Sequence, residues 1–149
     1  MIGATVPDRV RPKPHPARRP GYIAAAAVNA AMLWVANSLL DWGWPPFLTS
    51  DFDDLLPWVD ASMAAAIAVN LLWTLTDPPW FRHFGQIGLN LISLGVGIRS
   101  WQIFPFDFTG YWGGWETVAR LVIAVAVVGL TIDTVTRIVA LTSATRVQR

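Results

Sequence analysis

The stretch TVARLVIAVAVVGLTIDTVTRIVAL, residues 117–141, decides which solvent this chain folds in. Its only charged side chains are Arg120, Asp133 and Arg137, and the residues between Arg120 and Asp133 carry no charge at all. A bilayer core about 30 Å thick needs roughly 20 apolar residues at about 1.5 Å rise per residue. This run is long enough to cross such a core with tilt, or to project beyond it. Working outward, three more segments have the same character: residues 22–40, 59–76 and 84–104. In hydrocarbon each backbone N–H and C=O must find its partner within the segment, so all four should be helices. The expected fold is all-α, a four-helix transmembrane antiparallel bundle over residues 22–142. A disordered basic tail (1–21) precedes it and a short cytoplasmic tail (143–149) follows.

Composition points the same way. Of 149 residues, 54% are hydrophobic and 14% charged, against about 25% charged in a typical soluble domain. The absence of cysteine excludes disulfides, thiol catalysis, iron–sulfur clusters and Cys-type zinc sites. Both histidines, His15 and His83, lie outside the apolar runs, so no histidine-rich metal or haem centre is expected and no cofactor is implied. Lys13 is the one lysine among 11 basic residues; with abundant Ala, Val, Trp and Pro, this bias points to a GC-rich bacterial genome. Arg18 and Arg19 before an alanine-rich run resemble a signal peptide. However, the run is long for an h-region, no clear cleavage site follows, and three further spans come after it.

The basic residues orient the chain. The tail PDRVRPKPHPARRP carries Arg9, Arg11, Lys13, Arg18 and Arg19; Arg82 follows the second span, and Arg146 and Arg149 follow the fourth. Residues 41–58 and 105–115 contain neither Lys nor Arg. The positive-inside rule then puts both termini in the cytoplasm of a multi-pass plasma-membrane protein. Proline alternating with basic residues makes the tail extended, an anchor to anionic headgroups worth about 1 kcal/mol per basic residue. It lacks the folded basic surface or interleaved aromatics of a nucleic-acid binder.

Both outer connections are aromatic. In DWGWPPFLTSDFDDLLPWVD, residues 41–60, Thr49 or Ser50 is placed to cap a short interfacial helix with Asp51, Asp53 and Asp54 in its first turn. Pro57 would then open the second span. The three aspartates lack the central Gly and distal Glu of a calcium loop. PFDFTGYWGGWE, residues 105–116, reads as a tight turn on the outer interface. On the cytoplasmic side, TDPPWFRHF (76–84) offers Asp77 as a cap for the third helix and Pro78 and Pro79 to start it.

Polar side chains within spans are costly and face the bundle interior. Asn29, Asn70 and Asn90 each lie six or seven residues from the cytoplasmic end of their spans, roughly 10 Å deep at about 1.5 Å per residue. They form one expected layer, read first as interhelical hydrogen bonding and alternatively as a binding or conduction site. Along the third span Gln86, Asn90, Ser93, Gly97 and Ser100 share one stripe, and Gly88, Gly95, Arg99 and Gln102 the opposite one. Small and polar residues on both faces suit a helix between two neighbours. Near the outer ends, Arg99 and Arg120 sit at similar depth, with Glu116, Asp107, Asp41 and Asp60 as the candidate carboxylate partners and Asn37 and Gln102 at the same level. Such a set either closes the outer end of the bundle or forms an anion site. Asp133 and Arg137 are spaced for an i,i+4 salt bridge.

No nucleophile–base–acid set, zinc motif or phosphate-cradling glycine loop is visible, so no enzyme is expected. The segments DLLPWVDASMAAAIAVNLL and DPPWFRHFGQIGLNLISLGVGIRSWQIFPFDF, with the terminal span, resemble a group of small four-span bacterial membrane proteins of high-GC Gram-positive genomes. The resemblance covers about residues 42–141, implies the four-span fold, and carries over no functional residue. Two function classes follow: a non-catalytic scaffold or accessory module that binds another membrane protein or itself, and a small carrier or channel for an ion or solute.

Overall fold

The computed structural model of the protein describes residues 18–146, so the expected basic tail falls almost wholly outside the described residues. The chain is all-helical: α1 (Arg19–Trp42), α2 (Phe52–Leu75), α3 (Pro79–Ile103) and α4 (Trp115–Arg146). By length and composition α1, α2 and α4 are apolar enough to cross a membrane. α3, which carries Arg82, His83, Gln86, Asn90, Arg99 and Gln102, is the polar helix.

Helix ends follow local chemistry. Pro20 lies in the first turn of α1, where its missing N–H costs nothing. Gly43 ends the helix in the left-handed region (φ 61°), and its amide and that of Trp44 reach back to Leu40 and Leu39 at 3.0 and 3.3 Å. Two expected caps are not formed. α2 begins at Phe52 with Asp51 at the N-cap and no side-chain capping bond, and it runs unbroken through Pro57. The short helix expected in this connection is therefore the first turns of α2 itself. Proline's fixed φ suits a helix, and the carbonyl it leaves unpaired, that of Asp53, belongs to an exposed turn. Asp77 does not cap α3 either; Pro78 occupies that position, and the Asp77 carboxylate is engaged elsewhere.

Close backbone approach, with Cα atoms within 8 Å, occurs only between helices consecutive in sequence: α1 with α2, α2 with α3 and α3 with α4. The contacts run antiparallel. Tyr22 meets Trp73 at one end of the α1–α2 pair, with ring centroids 5.6 Å apart, and Asn37 meets Asp60 at the other. The helices thus form a row in which α3 is interior and α1 and α4 are edges. Glycine makes room for α3 on both sides. A Cβ at Gly85 would stand 2.9 Å from Trp73 Cζ2, one at Gly95 3.0 Å from Trp58, and one at Gly97 2.7 Å from Val127 Cγ2. Alanine does the same in α1, where Ala26 and Ala36 are buried.

The α1–α2 and α3–α4 connections are tied to each other. Leu48 and Phe106 form an antiparallel bridge, Thr49 donates its amide to Pro105 at 3.0 Å and Asp107 donates to Phe47 at 2.8 Å. Pro105, whose carbonyl accepts the Thr49 amide, is fully buried, and the rings of Phe47, Phe106, Phe108 and Tyr111 contact one another.

Candidate functional site: a polar network at the basic end

The start of α1, the end of α2, the start of α3 and the C-terminal half of α4 come together at one end of the row. Asp77, in the short α2–α3 connection, is the hub there, with its side chain only 5% exposed. Tyr22 donates its hydroxyl to Oδ2 at 2.9 Å. Arg82 approaches Oδ1 with Nε at 3.1 Å, and Arg18 approaches Oδ2 at 3.7 Å. One buried carboxylate therefore ties α1 to the start of α3 across the end of α2. A buried charge is tolerated only with such compensation.

A second chain of bonds joins α3 to α4. Gln86 donates Nε2 to Asn90 Oδ1 at 3.1 Å, and Asn90 donates Nδ2 to Asp133 Oδ2 at 2.6 Å. Arg137 donates Nε to the same oxygen at 2.7 Å. Asn90 is 4% exposed, and both ends of its amide are used, which fixes its orientation. Asp133 balances one cation and accepts one neutral donor, a satisfied arrangement for a carboxylate between helices.

The three asparagines divide in role. Asn29 and Asn70 donate Nδ2 to carbonyls four residues back in their own helices, Ala25 at 2.8 Å and Ala66 at 2.7 Å. Of the three, only Asn90 makes a side-chain hydrogen bond to another helix among the described residues. On α3, Asn90 and Gly97 face α4, while Gly95 faces Trp58 of α2. These are the two opposite stripes of the sequence.

The five residues expected to cluster near the outer ends fall into four separate contacts. Arg99 donates Nη1 to Gln102 at 3.1 Å, and its buried Nε has no partner among the described residues. Arg120 pairs with Glu116 at 3.1 Å, with its guanidinium carbon 4.0 Å from the Phe104 ring centroid and 5.5 Å from that of Trp101. Asp60 accepts from Asn37 at 2.7 Å. Asp107 accepts from the amide of Thr109 at 2.8 Å and from its hydroxyl. These two donors hold the Asp107 carboxyl below its ordinary pKa. Neither arginine reaches Asp60 or Asp107 within ion-pair distance among the described residues; Asn37 and Thr109 hold these carboxylates instead.

Two members of the basic-end network carried only local roles in the sequence, Asp133 as the i,i+4 partner of Arg137 and Asp77 as a helix cap, and their contacts between helices were not expected. Asp133 lies eight residues from the inner limit of its span and Asn90 six from that of its own, so their common depth was available. Asp77 carried no comparable signal: its role requires the start of α1 to lie over the α2–α3 connection. Among the described residues no group of three His, Asp or Glu side chains is gathered as a metal site. No family model matches the chain, and neither a curated protein nor a solved structure shows significant similarity to it.

Proposed function

We propose that this chain is a bacterial plasma-membrane protein that crosses the bilayer four times with both termini cytoplasmic. In this proposal it serves as a non-catalytic module that packs against another membrane protein or a second copy of itself. The observation that carries the proposal is the single-file packing. Among the described residues no Cα of α1 comes within 8 Å of α4, so these two helices do not close the row into a ring by close backbone packing. A carrier or channel, the alternative, requires a continuous polar path, whereas Asp77 and Asp133 are bonded to neighbours within the row. The edge helices meanwhile present apolar surface, with Val28, Met32 and Trp34 exposed on α1 and Val125, Val128 and Ile132 on α4. Lipid or a partner helix is the natural cover for such faces.

α3 belongs in the membrane with the others despite its polarity. Its 25 residues span about 38 Å at about 1.5 Å per residue, and Gln86 and Asn90 are satisfied inside the row. The orientation rests on charge: Arg18, Arg19 and Arg82 lie at one end of the row, and Asp41, Asp51, Asp53, Asp54, Asp107 and Glu116 at the other. The resemblance to small four-span bacterial proteins supports the same picture.

The test has two arms. Single cysteines introduced at Asp53 and Gly110 into the cysteine-free chain should react with an impermeant thiol reagent on intact cells, and one at Ser143 should not. A mild-detergent pull-down should recover a stoichiometric partner or a dimer. Solute or ion flux through vesicles holding only the purified chain would refute the module and favour the carrier.

A further inference from the structure

Between the two parts of the basic-end network lies a cleft of about 260 Å³, lined by Trp73, Arg82, His83, Gln86 and Arg137. It lies below the roughly 300–1,000 Å³ usual for drug-sized ligands, so it suits a small group. Its walls are rich in hydrogen-bond donors. Trp73 is 7% exposed, and its Nε1–H, which can only donate, has no partner among the described residues. Trp73 Cζ2 and Cε2 lie 2.9 and 3.4 Å from where a Gly85 Cβ would stand. The Nε1-bearing edge of the indole therefore faces α3, the helix that supplies Arg82, His83 and Gln86 to the cleft. His83 Nδ1 is likewise buried without a partner. Arg137 holds Asp133 through Nε at 2.7 Å and also lines the cleft. The carboxylates that pair with the arginines, Asp77 and Asp133, are not part of the lining.

We propose that this cleft binds a phosphate-bearing anion, either free phosphate or the headgroup of an anionic phospholipid. An acceptor-only group answers the surplus of donors, and the planar guanidinium fork matches phosphate oxygens. Among the described residues Arg18, Arg82 and Arg137 outnumber Asp77 and Asp133 by one, a balance that an anionic phosphodiester suits. The cleft opens at the end of the row where basic residues gather, the depth at which lipid headgroups stand when the chain is in a bilayer. The proposal goes beyond the module function; it rests on the proposed membrane placement for the lipid source of the anion and on the fold alone for free phosphate.

The full-length protein, purified in zwitterionic detergent without phosphate, is titrated calorimetrically with inorganic phosphate. In parallel it is exchanged into micelles doped with phosphatidylglycerol or phosphatidylcholine and scored for retained lipid by native mass spectrometry. Preference for phosphatidylglycerol with no response to phosphate identifies a lipid headgroup; a response to both identifies a free-anion site. Trp73→Phe keeps a ring and removes the buried donor, and should weaken binding about tenfold or more, the worth of a hydrogen bond to a charged group. Asp133→Asn combined with Arg137→Gln removes one cation without stranding its partner and should weaken it similarly. Trp34→Phe, on the exposed face of α1, should change nothing. Trp73→Phe is decisive by itself if the double variant unfolds. The proposal is overturned by absence of both phosphate binding and lipid preference, or by binding that survives Trp73→Phe. The labelling arm above reads topology separately, so failure here leaves the module function standing.

Discussion

Gly97→Ala is the most direct probe of how α3 sits against α4. A Cβ at this position would lie 2.7 Å from Val127 Cγ2, whereas carbon atoms in contact prefer about 3.5–4.0 Å. Relief requires either about 1 Å of separation between the helices or a different Val127 rotamer, and valine in a helix strongly prefers one rotamer. Overpacking of this size costs about 1–3 kcal/mol. Alanine also gains about 1 kcal/mol of helix propensity over glycine, which would mask part of the loss. Gly88→Ala is the matched reference, because a Cβ there meets nothing within 4 Å. The propensity gain cancels between the two variants, so Gly97→Ala should be about 1–3 kcal/mol less stable than Gly88→Ala. Adding Val127→Ala removes the offending methyl and should recover most of that difference. Unfolding in mixed detergent micelles, followed by tryptophan fluorescence, measures all four proteins. Equal stability of the two glycine variants, or no rescue by Val127→Ala, would refute the packing of α3 on α4 described above.

Arg99→Leu should cost less than about 1 kcal/mol, since its one hydrogen bond is to Gln102 at i+3 and its buried Nε has no partner; a large loss rescued by neutralising Asp60 or Asp107 would restore the carboxylate-paired arrangement. Asn90→Leu should cost about 1–2 kcal/mol because it removes bonds to Gln86 and Asp133. Asn29→Leu should lose less, its partner being its own helix, and the reverse order in thermal stability would contradict the geometry. Asp77→Asn should cost about 2 kcal/mol, below the 3–5 kcal/mol typical of a fully buried pair, because Arg18 and Arg82 remain about a third exposed; a neutral outcome would deny Asp77 its place as hub. Asp107 is hydrogen-bonded in its ionised form, so its folded pKa is lowered. Its contribution is complete above the unfolded carboxyl pKa and fades as pH falls through the folded value. Thr109→Val should raise the midpoint of the Asp107 carboxyl titration followed by carbon NMR, and an unmoved midpoint would remove the hydroxyl as a cause.

Some of this protein is written in one dimension. Residues 117–141 announce a helix in lipid because hydropathy and backbone pairing are local matters, settled by what each segment can bury and bond within itself. The same holds for the helical ends at Pro20 and Gly43, and for the two stripes of α3, which follow from a 3.6-residue period. Depth along a helix axis is also a linear count, so the shared level of Asn90 and Asp133 could be read from spacing alone. Direction around the axis is another matter. Which carboxylate an arginine meets depends on how neighbouring helices are rotated and how near a competing donor lies. Thr109 and Asn37 hold Asp107 and Asp60, and Arg99 turns to Gln102. Asp77 reads locally as a cap, yet Arg82, Tyr22 and Arg18 outbid the α3 amides once α1 is packed beside α2. The order of the row was likewise decided by packing. α3 became interior because Gly85 and Gly95 admit the tryptophans of α2 and Gly97 admits Val127 of α4. Such complementarity between surfaces exists only when both surfaces are present, and so it belongs to the tertiary structure.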